Sequence, residues 1–273
     1  MNLKEFRRYY QEYSNIYLKY FYNKNDASSD LTLSHHINNR ANQYIDYRNL
    51  DLVAQCLSGE YQSPRRFKLL DLGCGGLDKS LILRKLFPLA ELFGVEAKIS
   101  DDPGHREINK YRFNKPEYYQ VLKKKYNLNF GLYDGRNLKF SNSFFDVIML
   151  YATLEHIVPN ERKEFIAKIS KKLKKNGLII VTRCPQKNGL FETISEKLSL
   201  GAHLWRLTKD EFNDIFPSQQ FEMIEYREMN NIFTEPAAIA NFFFPILVVL
   251  DRLLEYLKWP FFSDYFLVLR KRK

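Results

Sequence analysis

The chain lacks the residues and runs that mark several protein classes. Its three cysteines, Cys56, Cys74 and Cys184, lie far apart and form no Cys-x-x-Cys pair. That spacing argues against a structural zinc site or a disulfide framework, and it fits a reducing cytosol. No apolar run follows the charged opening Met1 to Tyr9, so no secretory signal is expected there. The most apolar stretch, Phe242 to Leu250, ends after nine residues at Asp251 and Arg252. A membrane span needs about 20 such residues, and shorter runs more often pack in a core. Acidic residues are also in deficit: 32 Asp and Glu against 42 Lys and Arg leave a formal net charge of +10. This balance favours an anionic partner such as nucleic acid, an anionic membrane or a phosphorylated substrate. A lysine-rich proteome would give the same balance with no such partner, so charge alone decides nothing.

What is present is a globular composition, with 45% hydrophobic and 27% charged residues in a chain of 273. That length holds one large domain, or a domain with an appended lid. Phe6, Tyr9, Tyr10, Tyr13, Ile16, Tyr17 and Tyr20 recur at helical steps. Asn23 to Ser34 reads as a loop. A second helical stretch runs from Ile37 to Leu57, with a stop at Ser58-Gly59. From Phe67 onward strands and helices alternate, which implies a parallel sheet covered on both faces. Strands are expected at Phe67–Leu72, Glu91–Glu96, Phe130–Tyr133, Phe145–Tyr151 and Leu178–Thr182. Phe221–Arg227 and Tyr265–Arg270 close the set. Asn160 reads as a helix N-cap and Gly177 as that helix's stop. Thr208-Lys209-Asp210-Glu211 has the form of a capping box.

The chemistry concentrates in Asp71-Leu72-Gly73-Cys74-Gly75-Gly76, at the end of the first strand. A strand ending at the sheet's carboxyl edge must turn tightly and let a ligand approach its amides, which glycine alone permits. A dinucleotide-binding turn would read Gly-x-Gly-x-x-Gly and receive a diphosphate. Here the glycines are compressed and an acid precedes them. That carboxylate would repel a diphosphate, but suits a ligand carrying a sulfonium and an ammonium.

Four segments in order now resemble the class I S-adenosylmethionine-dependent methyltransferases, more narrowly those similar to the ubiquinone and menaquinone biosynthesis methyltransferases. They are the glycine loop from Leu69 to Leu77, the strand end Phe93-Gly94-Val95-Glu96, Tyr133 to Phe140 running into Phe144 to Ile148, and Leu154-Glu155-His156-Ile157 followed by Leu173 to Leu178. The resemblance covers about Phe67 to Thr182. It implies an α/β fold with a Rossmann-like, doubly wound, seven-stranded sheet whose last strand is antiparallel. Residues 1–60 would form an N-terminal helical cap. Residues 61–273 would form the methyltransferase domain, with 228–262 an apolar helical insert between the last two strands.

The resemblance also implies roles. Gly73, Cys74 and Gly75 would line the methionine part of S-adenosylmethionine, with Asp71 orienting it and Tyr151 nearby. Glu96 would accept from both ribose hydroxyls, as a two-oxygen carboxylate can. Asp134 would face the adenine amino group and Gly135 would offer its amide, although Asp-Gly is equally a turn former. His156 is the candidate general base for a hydroxyl acceptor, with a purely structural histidine as the competing reading. Arg183, His203, Trp205 and Arg206 are candidate acceptor-binding residues. Ala152 stands where related enzymes with a metal place a glutamate, so no metal is expected. Leu77 stands where the family usually has a third glycine, so an altered turn is expected.

The expected activity is methyl transfer to an oxygen, less readily to nitrogen or carbon, of a small, glycan or lipid-linked acceptor. RNA methylation and a non-catalytic protein retaining the fold are the alternatives, and nucleic acid is the less expected partner. The apolar piece from Pro236 to Pro260 reads as a buried lid, an interfacial helix or a dimer surface. A cytoplasmic protein, with peripheral membrane contact through 236–262 as one option, is expected; the oligomeric state is not legible.

Overall fold

A computed structural model describes residues 1–21, 38–61, 66–97, 115–134, 137–187, 205–230, 236–257 and 264–272, with single positions between them. Two long helices come first, α1 (Leu3–Phe21) and α2 (Arg40–Glu60). Asn39 caps α2 by accepting the Asn42 amide, and the helix runs through Ser58-Gly59 instead of stopping there. One glycine near a helix end costs only about 1 kcal/mol, so it does not break a helix held by tertiary contacts.

The sheet is built from β1 (Lys68–Leu72), β2 (Glu91–Ala97), β3 (Leu128–Tyr133), β4 (Phe145–Tyr151), β5 (Leu173–Pro185), β6 (Phe221–Met229) and β7 (Asp264–Lys271). Its order is β3-β2-β1-β4-β5-β7-β6. The first five strands are parallel neighbours, and β7 lies antiparallel between β5 and β6. The seven-stranded, mixed sheet of the expected fold is therefore present. Its helices are α3 (Asp78–Leu86), α4 (Pro116–Tyr126), α5 (Arg162–Lys172), α6 (Lys209–Ile215), α7 (Ala237–Phe242) and α8 (Phe244–Tyr256).

Two further local expectations fail for identifiable reasons. Asn160 falls inside a 3-10 turn, Pro159–Glu161, and α5 begins only at Arg162. Proline at the head of that turn fixes its backbone and takes over the initiating role. Gly177 is not a helix stop: α5 ends at Lys172 and β5 already starts at Leu173. Gly177 instead lets β5 pass β4, since a Cβ there would stand 2.8 Å from the Asp146 carbonyl oxygen. Helix α4, with four buried tyrosine or leucine side chains, occupies part of the connection from β2 to β3.

The α1 aromatics pack against α2, α3 and α4 and extend the core that lies on the sheet. Phe6, Tyr10, Tyr13, Tyr17 and Phe21 share one buried cluster with Leu69, Val147, Ile180 and Phe266. Burying rings of this size contributes roughly 1.5–3 kcal/mol each, so α1 and α2 are part of the scaffold that shapes the sheet's carboxyl edge. A second cluster on the opposite face joins α5 and α6 to the same strands through Ile166, Ile169, Phe212 and Ile215. Asp146 anchors structure, accepting the Lys68 amide at 2.8 Å and pairing with Lys174 at 2.8 Å.

Candidate cofactor and acceptor site

The carboxyl ends of β1 and β2 meet where the glycine loop turns. Gly73 and Gly75 both have positive φ, 78° and 51°. The amides of Gly73 and Cys74 both donate to the Val95 carbonyl, at 2.9 and 3.1 Å. A Cβ on Gly73 would stand 2.7 Å from Thr153 Oγ1. Thr153 itself donates to the Leu72 carbonyl at 2.9 Å, so the loop after β4 is fastened onto the glycine turn. Gly73 is thus the residue that lets the loop after β4 close onto the turn, since any side chain there would collide with Thr153.

Leu77 explains how the loop dispenses with a third glycine. It adopts the left-handed conformation itself, at φ 65° and ψ 17°, which costs a residue with a Cβ roughly 1–2 kcal/mol. Its side chain is fully buried, and the space comes from Gly94, where a Cβ would stand 2.1 Å from Leu77 Cδ2. The altered turn thus rests on an exchange of space: Leu77 fills the room that Gly94 leaves on the neighbouring strand. Behind the loop, the Tyr118 hydroxyl donates to the Gly76 carbonyl, and Tyr13 lies against the Gly76 Cα.

Two carboxylates flank this turn. Glu96, half-buried at the end of β2, accepts the Gly75 amide at 2.7 Å and its neighbour Ala97 at 3.0 Å. Asp71 is 1% exposed, and Ser80 Oγ donates to its Oδ2 at 2.6 Å. No donor among the described residues reaches its Oδ1. Burial pushes the Asp71 carboxyl up to about 7; the Ser80 hydrogen bond opposes this and the Asp78 charge adds to it. A buried carboxylate oxygen without a partner is costly unless a ligand completes it. The left-handed glycine turn, the orphaned oxygen and the Glu96 carboxylate together fit a cationic S-adenosylmethionine, which Gly73, Cys74, Gly75, Asp71 and Glu96 would hold.

At the next strand ends a second cluster forms around Asp46, which α2 brings in. Its carboxylate accepts Tyr151 Oη at 2.5 Å, Lys79 Nζ at 2.9 Å and the Arg183 guanidinium. Arg183 also donates to Asn42, and Thr182 to Asn49. Burial opposes ionisation of Asp46, but Lys79 and Arg183 outweigh it and hold the carboxyl well below its usual range. Asp46 in turn raises the pKa of Arg183 against its own burial. Ala152 and Arg183 both have positive φ, 47° and 52°. Strained residues therefore sit at the carboxyl ends of three adjacent strands, Leu77 and Ala152 beyond β1 and β4 and Arg183 at the register shift near the end of β5, a clustering found where a backbone is held for function.

The third group of residues is fastened by Arg162, which is 1% exposed. Its Nε donates to the carbonyls of Leu154 and Ile157, at 3.2 and 3.1 Å. Its guanidinium also reaches the Trp205 carbonyl and, at 3.4 Å, Glu211. The 3-10 turn Leu154–His156 and the half-buried Trp205-Arg206 segment therefore share one buried hub. Thr208 and Glu211 form the expected capping box beside it.

The structure thus gathers Asp71, Gly73, Cys74, Gly75 and Glu96 at one edge. It joins Tyr151 to Arg183 through Asp46, and His156 to Trp205 and Arg206 through Arg162. Asp134 lies at the exposed end of β3, where its carboxylate accepts the Asn137 amide at 2.6 Å; the turn role is therefore present. Gly135 and His203 lie outside the described residues. Sequence reasoning missed Asp46, Lys79, Asn42 and Arg162. A signal existed for α2: Asn39, Asn42, Asp46 and Asn49 form a polar stripe at helical spacing, and all four are buried. No group of three or more His, Cys, Asp or Glu side chains gathers as a metal site among the described residues.

Known proteins point the same way. Residues 70–181 match the family model described as a methyltransferase domain. A carboxy-S-adenosyl-L-methionine synthase from Campylobacter hominis is 29% identical over 131 residues, covering 46% of this chain and 49% of that protein. The chain thus spans about half the length of that curated relative. The magnesium protoporphyrin IX methyltransferase from Synechocystis PCC 6803, solved with bound SAH, superposes with a TM-score of 0.55 at 13% identity, covering 96% of this chain and 93% of that one. An S-adenosylmethionine-dependent methyltransferase from Archaeoglobus fulgidus gives 0.52 at 17% identity, over 90% and 100% of the two chains. At these identities the superpositions speak for the fold. Residues 70–181 thus match a methyltransferase domain, and the seven-stranded sheet has the Rossmann-like fold of these neighbours.

Proposed function

We propose that this chain transfers a methyl group from S-adenosylmethionine to an oxygen of a small, glycan or lipid-linked acceptor. The observation that carries the reading is the buried, unpartnered Asp71 Oδ1 on the strand that feeds the glycine turn, with the Glu96 carboxylate on the turn's Gly75 amide. The cofactor supplies a methyl group on a positively charged sulfur. The protein's part is positioning, which can account for roughly 7–11 kcal/mol of a barrier when nucleophile and methyl are held in line. Glu96 and Asp71 fix the donor's two ends. Arg183, held rigid by Asp46 and Asn42, orients an acceptor at the β5 edge. His156, in the turn fastened by Arg162, takes the proton from the acceptor hydroxyl.

Stabilisation by S-adenosylhomocysteine tests the cofactor half. A ligand at 100 times its dissociation constant adds about 2.7 kcal/mol. No thermal shift with either cofactor form would favour a non-catalytic protein that keeps the fold. His156→Ala tests the base: kcat should fall roughly 10²- to 10⁴-fold with cofactor affinity retained. An unchanged rate would make His156 structural.

The similarity to the carboxy-S-adenosyl-L-methionine synthase favours a second reading, in which the cofactor itself is the molecule modified. Mass spectrometry of the spent cofactor separates the two. S-adenosylhomocysteine fits methyl transfer, and a heavier cofactor derivative fits the second reading. RNA methylation is tested by salt-dependent retention on RNA, since phosphate contacts weaken steeply with salt.

A further inference from the structure

Helices α7 and α8 present two unlike faces. Inward, Ala240, Phe244 and Leu247 pack against Ala41, Tyr44 and Ile45 of α2. Asp251, with no exposed surface, pairs with Arg48 at 2.6 Å, and Arg48 also binds Glu255 at 2.7 Å. Both acids of α8 are therefore turned toward α2. Outward, the exposed side chains are Ile239, Phe242, Phe243, Ile246, Val249, Leu250, Leu253, Tyr256 and Leu257. They recur at three- and four-residue steps and form one stripe along both helices.

This stripe is not random surface. Phe242 is 79% exposed, Val249 66% and Tyr256 84%. An uninterrupted exposed apolar patch of this kind marks an interaction site. The fully exposed charge around it is basic. Exposed Arg252 lies on the same helix, 3.9 Å from the half-buried Glu255, and exposed Arg40 and half-buried Arg7 hold their guanidiniums over the ring of buried Phe244, at 5.5 and 5.7 Å, at the start of α8. The chain as a whole carries +10. No helix among the described residues is long and apolar enough to cross a membrane. An apolar stripe with aromatics, flanked by arginine and with one acid buried and the other held by Arg48, has the composition of a helix that lies in a bilayer interface.

We infer that α7 and α8 dock this protein on an anionic lipid surface, with the outward stripe in the acyl boundary and Arg7, Arg40 and Arg252 at the phosphate level. The occupant is a bilayer and not a second copy of the chain. A self-complementary patch would bring the flanking arginines of two copies together, whereas anionic headgroups neutralise them. The docked helices pack on α2, whose Asn42 and Asp46 hold Arg183. The lipid face and the proposed acceptor edge thus share one helix. Membrane docking does not depend on the methylated atom or on methyl transfer itself.

The test is flotation of the full chain with vesicles of phosphatidylglycerol and phosphatidylcholine, against vesicles of phosphatidylcholine alone. Most of the protein should float with the anionic vesicles and little with the neutral ones. A Val249→Glu/Leu253→Glu variant alters only exposed positions. It should lose at least tenfold in bound fraction while keeping the wild-type thermal shift with S-adenosylhomocysteine. Mass in solution, by light scattering, supplies the alternative occupant. Wild-type protein that stays with the soluble fraction, or a dimer that the same variant converts to monomer, would overturn the inference. A failed thermal shift with intact flotation would count against methyl transfer and leave the docking standing.

Discussion

Asp71→Asn should make the free protein more stable and the loaded protein weaker. Burial lifts the Asp71 carboxyl from 3.8 to about 7. At about 1.36 kcal/mol per unit, the ionised form destabilises the fold by about 4 kcal/mol. The folded pKa exceeds the unfolded one, so between pH 4 and 7 the folded chain holds a proton that the unfolded chain releases. Stability from this group is therefore greatest at low pH, declines as pH rises through that window, and is flat above it. Asparagine removes the charge, keeps an acceptor for Ser80, and leaves one buried amide group without a partner, at about 1–3 kcal/mol. The net gain at pH 8 is about 2 kcal/mol, a rise in Tm of about 4–8 °C. Ligand binding should run the other way. A cation beside Asp71 favours the carboxylate, so S-adenosylmethionine affinity should rise up to about tenfold per pH unit below pH 7 and then level off. The variant should bind at least about tenfold more weakly, with a shallower pH dependence. Urea unfolding of both proteins at pH 5 and 8, with calorimetric titration at the same values, measures every quantity. Equal stability differences at the two pH values, or a variant less stable at pH 8, would refute the reasoning.

Other outcomes follow from the same geometry. Glu96→Gln keeps an acceptor for the Gly75 amide but loses the charge, so it should fold normally and bind cofactor roughly 10- to 100-fold more weakly, as charge-assisted hydrogen bonds are about twice as strong as neutral ones; calorimetry decides, and unchanged affinity would remove Glu96 from the site. Gly94→Ala forces a methyl against Leu77 and should cost about 1–3 kcal/mol; in a Leu77→Gly background the cost should shrink by at least about 1 kcal/mol, and strict additivity in a double-mutant cycle would deny the exchange. Arg48→Ala removes the cation beside buried Asp251, which keeps the Tyr44 hydroxyl at 3.3 Å, and should cost about 3 kcal/mol in urea unfolding; a loss below about 1 kcal/mol would mean that α8 is not held to α2 by that pair.

The sheet was legible because its signals are local and redundant. Apolar runs such as Phe145 to Tyr151 read as buried parallel strands wherever they occur, and the glycine turn had one plausible place to sit. Boundaries were harder where two rules competed. Asn160 has the chemistry of an N-cap, yet Pro159 had already set the turn; Gly177 can stop a helix, yet here it admits the backbone of β4. The acceptor side was largely invisible because its residues are distant in sequence. Asp46 meets Arg183 across 137 positions, and Arg162 meets Trp205 across 43. The polar stripe on α2 said that something buried would need those side chains, without saying what. The outward face of α8 was open to three readings because periodicity alone gives no direction; Asp251 and Glu255 turning toward Arg48 supply it.

Calorimetric titration of the purified chain with S-adenosylmethionine, and separately with a nicotinamide dinucleotide, goes to the centre of the account. A crevice bounded by Asp71 and Glu96 should take up the sulfonium cofactor in a single saturable event and show no heat with the diphosphate. Saturable binding of the dinucleotide together with indifference to S-adenosylmethionine would contradict it.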